Sequence, residues 1–152
     1  MVRKVLLLVG LMLVLSLGFA AAADAAAVEG SGRLWARGIG YAEVHGNGAV
    51  DISVHGTGTI LVKGAEVLRA EGHGRRWDLP GGGTLFAGWR GNVHVAGKDL
   101  KVKMWGGILE LNARGTGWVF LKGRGQYRVH GHSGAWTQEG VRVEMSPPDG
   151  AE

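Results

Sequence analysis

The sequence predicts an all-β protein, an antiparallel meander folded as a sandwich or a barrel, on three observations. Beyond Gly30 the chain is cut into short pieces by glycine pairs, at Gly38 and Gly40, Gly46 and Gly48, Gly56 and Gly58, Gly115 and Gly117, and Gly123 and Gly125. Between the pairs apolar and polar residues alternate. Val50, Ile52 and Val54 fall on one side of their run, with Asp51, Ser53 and His55 on the other; Leu100, Val102 and Met104 likewise oppose Lys101, Lys103 and Trp105. Period two between turn signals is the pattern of strands, and no run beyond residue 27 shows the 3.6-residue period of an amphipathic helix.

The first element stands outside that fold. Met1, Val2, Arg3 and Lys4 form a cationic start, the run 5–20 is apolar and uncharged, and Ala21, Ala23, Ala25 and Ala27 offer small residues to a peptidase. Residues 1–27 therefore read as a signal peptide. A retained anchor is the rival, because 5–23 approaches the ~20 apolar residues of a spanning helix. The alanine-rich flank and the missing cationic stop-transfer segment favour cleavage. The chain is thus expected to be secreted or extracytoplasmic, in a periplasm or at a cell surface. Residues 28–145 are expected to form one domain and 146–152 a disordered tail.

Composition narrows the function classes. There is no cysteine, which excludes a lipid-anchor cysteine, a disulfide framework and thiolate chemistry. The domain is long enough to be stabilised by a core of its own. The net charge is +4, falling to +3 when Arg3, Lys4 and Asp24 leave with the signal peptide. That bias permits contact with anionic polymers but is weaker than the footprint of a committed nucleic-acid binder, and nucleic acid is not expected as a partner of an exported chain.

The strands are expected in two sets. A short glycine-containing loop favours a hairpin, because glycine takes the positive φ that a tight turn or bulge requires. Sliding the chain on itself by 59 residues superposes 46–73 on 105–132 without a gap, with a one-residue slip near Tyr41 when the match is carried back to Gly32. Thr57, Lys63, Arg69, His73 and Trp77 meet identical residues in this register. The expectation is a tandem duplication of a ~43-residue, five-stranded unit. Each copy is followed by a variable segment, 75–90 or 134–145, and Leu79-Pro80-Gly81-Gly82-Gly83 reads as a turn. A β-solenoid of stacked rungs is the alternative architecture. Trp77, Trp89 and Trp136 flank the copies and are expected to close the core.

Several constellations could carry chemistry. His45, His55 and His130 share one slot, after a valine and before a glycine, where Arg37, Lys63 and Lys122 stand elsewhere; they read as turn-flanking residues. A metal site at His73, His130 and His132 lacks the typed spacing and a completing carboxylate, so no metal and no cofactor is expected. Asp51 and Glu110 are equivalent under the 59-residue offset and could pair as acid and base, which keeps a hydrolase as the third function reading. Ser31, Ser53, Ser133 and Ser146 lie in no Gly-x-Ser-x-Gly elbow. The glycine pairs open strands rather than helices, which removes the phosphate-loop reading.

The most informative pattern lies on the polar sides of two strands of the second copy. Lys101, Lys103 and Trp105 share one side of their run, and Trp118, Phe120 and Lys122 one side of theirs, each opposite an apolar row. The matching row in the first copy is Thr59, Leu61 and Lys63. Rings beside ammonium groups can stack on a sugar while pairing an anion. These six residues are therefore the expected ligand-binding set, with no catalytic residue assigned. The first function reading is a non-enzymatic domain binding an envelope component such as an anionic glycan or other anionic polymer. The second is a structural or self-assembling envelope protein, a homo-oligomer for which the same face is a subunit interface.

Overall fold

A computed structural model describes residues 32–145; the expected signal peptide at 1–27 and the expected tail at 146–152 lie outside the described residues. The described chain is all-β, with strands β1 (Gly32–Lys63), β2 (Val67–Asp78), β3 (Thr84–Trp105), β4 (Ile108–Val129), β5 (His132–Ala135) and β6 (Val141–Glu144). All strand pairs are antiparallel, whereas the stacked rungs of a solenoid would pair in parallel. The sheet is open, in the order β2-β3-β1-β4-β5 with β6 also on β4. This order corrects the expected meander: β1 lies between β3 and β4 and is not beside β2.

The glycine pairs are the reason. The expectation was hairpin reversal, but β1 continues as one strand through Gly38/Gly40, Gly46/Gly48 and Gly56/Gly58, and β4 through Gly115/Gly117 and Gly123/Gly125. The chain reverses instead at Gly64, at 79–83, at Gly106-Gly107 and at Gly131. The 79–83 reversal is the expected proline-glycine turn, tied by Leu79 N–H to Gly83 O at 2.9 Å and Gly82 N–H to Leu79 O at 3.1 Å.

At the Gly46/Gly48 corner both paired strands bend together. Gly46 stands opposite Gly117 and Gly48 opposite Gly115. Their φ angles, +151° and +144° in β1, +131° and +140° in β4, lie where L side chains are strained. A Cβ on Gly46 would sit 1.9 Å from Thr116 O. Four glycines thus let two backbones fold over as one ribbon without losing the ladder.

The bends allow the ribbon to coil. β1 meets β4 in one register from Leu34–Val129 to His55–Ile108, yet residues 32–38 also pair with 109–115. β4 therefore flanks the start of β1 on both edges. In the same way, 101–105 of β3 lies between 41–45 and 59–63 of β1. The straight segments fall into two laterally paired sets, one containing 41–46, 58–63, 84–89, 101–105 and 117–122, the other containing 32–38, 48–54, 91–97 and 109–115.

Alternation decides which side of each segment is buried. The apolar rows Val50/Ile52/Val54, Leu100/Val102/Met104 and Val119/Leu121 are buried, as expected, and with Leu34, Val44, Ile60, Phe86 and Val95 nearly all of them join one core cluster. Trp89 and Trp136 belong to it, and Trp136 Nε1 donates to Gln126 O at 3.1 Å. Trp77 does not, which corrects its assignment to the core. Arg76 opposes buried Phe86 and lies over its ring at 5.6 Å, so Trp77, one residue on, points outward opposite Leu85 and is 45% exposed.

Candidate functional site

The six residues singled out in the sequence lie on one outer face of the first set of segments. Lys101, Lys103 and Trp105 project from β3; Trp118, Phe120 and Lys122 project from β4; a run of β1 separates them. Because Ala42 and Val44 are buried, that run sends Tyr41, Glu43 and His45 to the same outer face. Three cross-strand rows result. Tyr41 stands between Trp105 and Lys122, Glu43 between Lys103 and Phe120, and His45 between Lys101 and Trp118.

The rings support one another. Tyr41 is stacked beside Trp105, centroids 6.4 Å apart at 25°, and meets Phe120 edge-on at 6.3 Å. The His45 ring lies against Trp118 at 4.2 Å and 11°, and Arg142 from β6, on the other flank of β4, lies 4.4 Å from the Trp118 centroid. Trp118 is therefore clasped on both faces and serves as a pillar. Trp105 differs: its neighbour away from Tyr41 is the short Thr59, and it is 41% exposed. It is the open ring of the site.

Glu43 organises the polar part. Tyr41 Oη donates to Glu43 Oε2 at 2.7 Å, and His45 Nε2 pairs with Glu43 Oε1. Burial pushes the Glu43 carboxyl up, but the hydrogen bonds from Tyr41 and His45 and the positive charges of His45 and Lys103 outweigh it and hold the group below its ordinary value. The Tyr41 phenol is pushed up to about 12, first by burial and then by its bond to, and the charge of, Glu43. Around this clamp, Lys63, Lys101, Lys103 and Lys122 have no carboxylate within ion-pair distance among the described residues. An open groove of ≈ 220 Å³ adjoins the face at the Gly46/Gly48 corner, lined by His45, Asn47, Asp99, Lys101 and Thr116 among others.

The outward side of the second set of segments is polar and internally paired. Asp51 and Glu110 both lie there on neighbouring segments, Asp51 facing Asn112 and Glu110 facing Ser53. Asp51 pairs with His94 at 2.5 Å and Arg114 at 3.6 Å; Glu110 accepts from Trp35 Nε1 at 3.2 Å and lies 3.8 Å from Arg37. The two carboxylates are thus neighbours, each already engaged by its own partners. Among the described residues no group of three metal-ligating side chains forms, and His73 stands opposite Arg90 in β2 whereas His130 and His132 flank the β4–β5 turn.

Sequence reasoning missed Tyr41, Glu43 and Arg142, and read His45 only as a turn residue. The signal for the first two was present, since Tyr41, Ala42, Glu43, Val44 and His45 alternate like the other strands. It was missed because the run lacks the alternating rings and lysines that mark 101–105 and 118–122. Arg142 sits in a four-residue strand whose pairing with β4 has no local sequence mark. No family model, curated protein or solved structure matches this chain.

Proposed function

We propose that this chain is a non-enzymatic exported β protein that binds an anionic glycan or related polymer of the cell envelope. The binding face is the one carrying Lys101, Lys103, Trp105, Phe120 and Lys122, with Trp118 as its clasped support. One observation carries the reading: lysines with no carboxylate within ion-pair distance among the described residues surround a cluster of rings in which Trp105 is open to solvent. Unpaired ammonium groups attract a polyanion, and an exposed indole offers a stacking surface to a sugar ring. The signal-peptide reading of 1–27 supplies the place, since envelope polymers are anionic surfaces that an exported protein meets.

The same reading extends to the architecture. Residues 28–145 are one domain, built from two copies of a five-stranded unit 59 residues apart whose two sets of segments pack as a sandwich. In support, Ile52 stands opposite Leu111, its own equivalent, and the Val67–Ala96 pair has its equivalent in Gln126–Arg37. A dyad between Ile52 and Leu111 would relate the copies.

Co-sedimentation with an insoluble polyuronate over a salt series tests the function. The wild type is expected to sediment and to be released by salt. Trp105→Ala is expected to weaken retention about tenfold, the scale of one lost ring stack. Lys101→Glu with Lys103→Glu is expected to weaken it further and to flatten its salt dependence. Failure of the wild type to sediment, with light scattering showing an oligomer that Trp105→Ala dissociates, makes the face an assembly interface. Preference for single-stranded DNA of matched charge makes it a nucleic-acid surface.

A further inference from the structure

Trp77 is the residue the proposed face leaves unexplained. A tryptophan 45% exposed on an edge strand is exposed apolar area that the fold itself does not use. The registers place it on the same outer face as Trp105. Trp77 opposes Leu85, Leu85 opposes Leu61, and Leu61 opposes Lys103, the outward neighbour of Trp105 two residues along β3. Leu85 and Leu61 face outward because Thr84, Phe86, Ile60 and Val62 on either side of them are buried. A half-buried aliphatic strip therefore runs from beside the open ring of Trp105 to the exposed ring of Trp77, with Lys63 exposed alongside and no carboxylate within ion-pair distance of it among the described residues.

The strip crosses strands rather than following one. From β3 through 58–63 and 84–89 to β2 there are three strand steps, about 14 Å at the spacing of neighbouring strands. That span exceeds one sugar ring, so a single ligand touching both tryptophans must be a chain. A small anion has no reason to reach Trp77. Insertion into a lipid surface fits less well, because Glu43, Lys103 and His45 lie within the same face and would lose hydration with it. A polyanionic saccharide keeps its hydroxyl and acidic groups partly hydrated while laying its ring faces on indole and leucine.

We infer that the binding face extends across the sheet from Trp105 through Leu61 and Leu85 to Trp77, and takes an acidic polysaccharide as a chain lying perpendicular to the strands. The inference rests on the anionic-glycan reading and adds a length requirement to it. Lys63 supplies charge midway, and Trp77 is the far subsite.

The test compares short and long oligogalacturonates, measured by tryptophan fluorescence and calorimetry on the full chain. The wild type binds long oligomers more tightly than short ones. Trp105→Ala weakens both, whereas Trp77→Ala weakens only the long ones, by about fivefold. Lys63→Glu, an exposed charge reversal outside the core, gives the same selective loss and guards against misfolding of the edge variant. Equal affinity of Trp77→Ala and wild type for long oligomers overturns the extension while leaving the glycan reading intact. Absence of wild-type binding at either length overturns both. Binding to phosphatidylglycerol vesicles with none to the oligosaccharides overturns both in favour of a membrane surface.

Discussion

Glu43 sits where the aromatic and cationic rows cross, and its two hydrogen bonds tie it to neighbours on its own strand, Tyr41 and His45. Its folded-state pKa is depressed, so its contribution to stability is present above the ordinary glutamate value and is lost as pH falls through the depressed one. Tyr41 is shifted the other way, to about 12; its contribution is full below the ordinary phenol value near 10 and fades as pH rises from there through about 12. Tyr41→Phe removes one of the bonds that stabilise the carboxylate. The Glu43 carboxyl is expected to titrate at higher pH in that variant, followed by carboxyl-resolved NMR, with the alkaline loss of stability reduced. An unchanged Glu43 titration would mean that His45 and Lys103 hold it alone. The alternation of Tyr41, Glu43 and His45 with Ala42 and Val44 carries the outward direction of this row, although the sequence reading missed it. It could not show that Tyr41 reaches Trp105 and Phe120, because those contacts arise from pairing between runs more than fifty residues apart.

At the scale of elements, the glycine pairs mark where strands bend, and here the sequence was half legible. Positive φ serves a reversing turn and a folded-over strand equally well, so the position of each break could be read but not the direction of the chain after it. What separates the two outcomes is a matched glycine on the partner strand, Gly117 for Gly46 and Gly115 for Gly48, and that match exists only once the register is known. The close approach makes a firm prediction. Gly46→Ala places a Cβ against Thr116 O in a conformation alanine resists, and is expected to cost about 2 kcal/mol or more, read from the urea midpoint. Gly81→Ala has open space around its Cβ and tests φ alone, at +82°. Its cost is expected to be the smaller of the two.

At the scale of the whole molecule, period two identified the inward rows at 50/52/54, 100/102/104 and 119/121, because a strand with one buried side has no other way to distribute its apolar groups. Trp77, assigned to the core on ring size and position, fell outside it through parity: the variable segment enters β2 so that Arg76 takes the position over Phe86. The Ile52–Leu111 pair belongs to the core, both side chains fully buried on neighbouring paired segments of β1 and β4. Ile52→Ala and Leu111→Ala are each expected to cost about 2–5 kcal/mol in chemical denaturation. The double variant should cost less than their sum, because the two truncations open a shared cavity. Strict additivity would indicate that the two side chains do not share a packing site.

The coiled ribbon also sets an order of events. Leu34 and the residues around it pair only with segments of β4, on both edges, so the first strand to be synthesised waits for nearly the last. Assembly dominated by such distant pairings closes large loops before any contact repays them, which places this chain among slow folders. Until β4 arrives, residues 32–40 have no partner strand and 41–54 are paired with β3 on one edge only, which leaves an open strand edge as a template for aggregation. With this wiring the two-edged pairing of residues 32–38 forms only once the C-terminal half of the described chain is present.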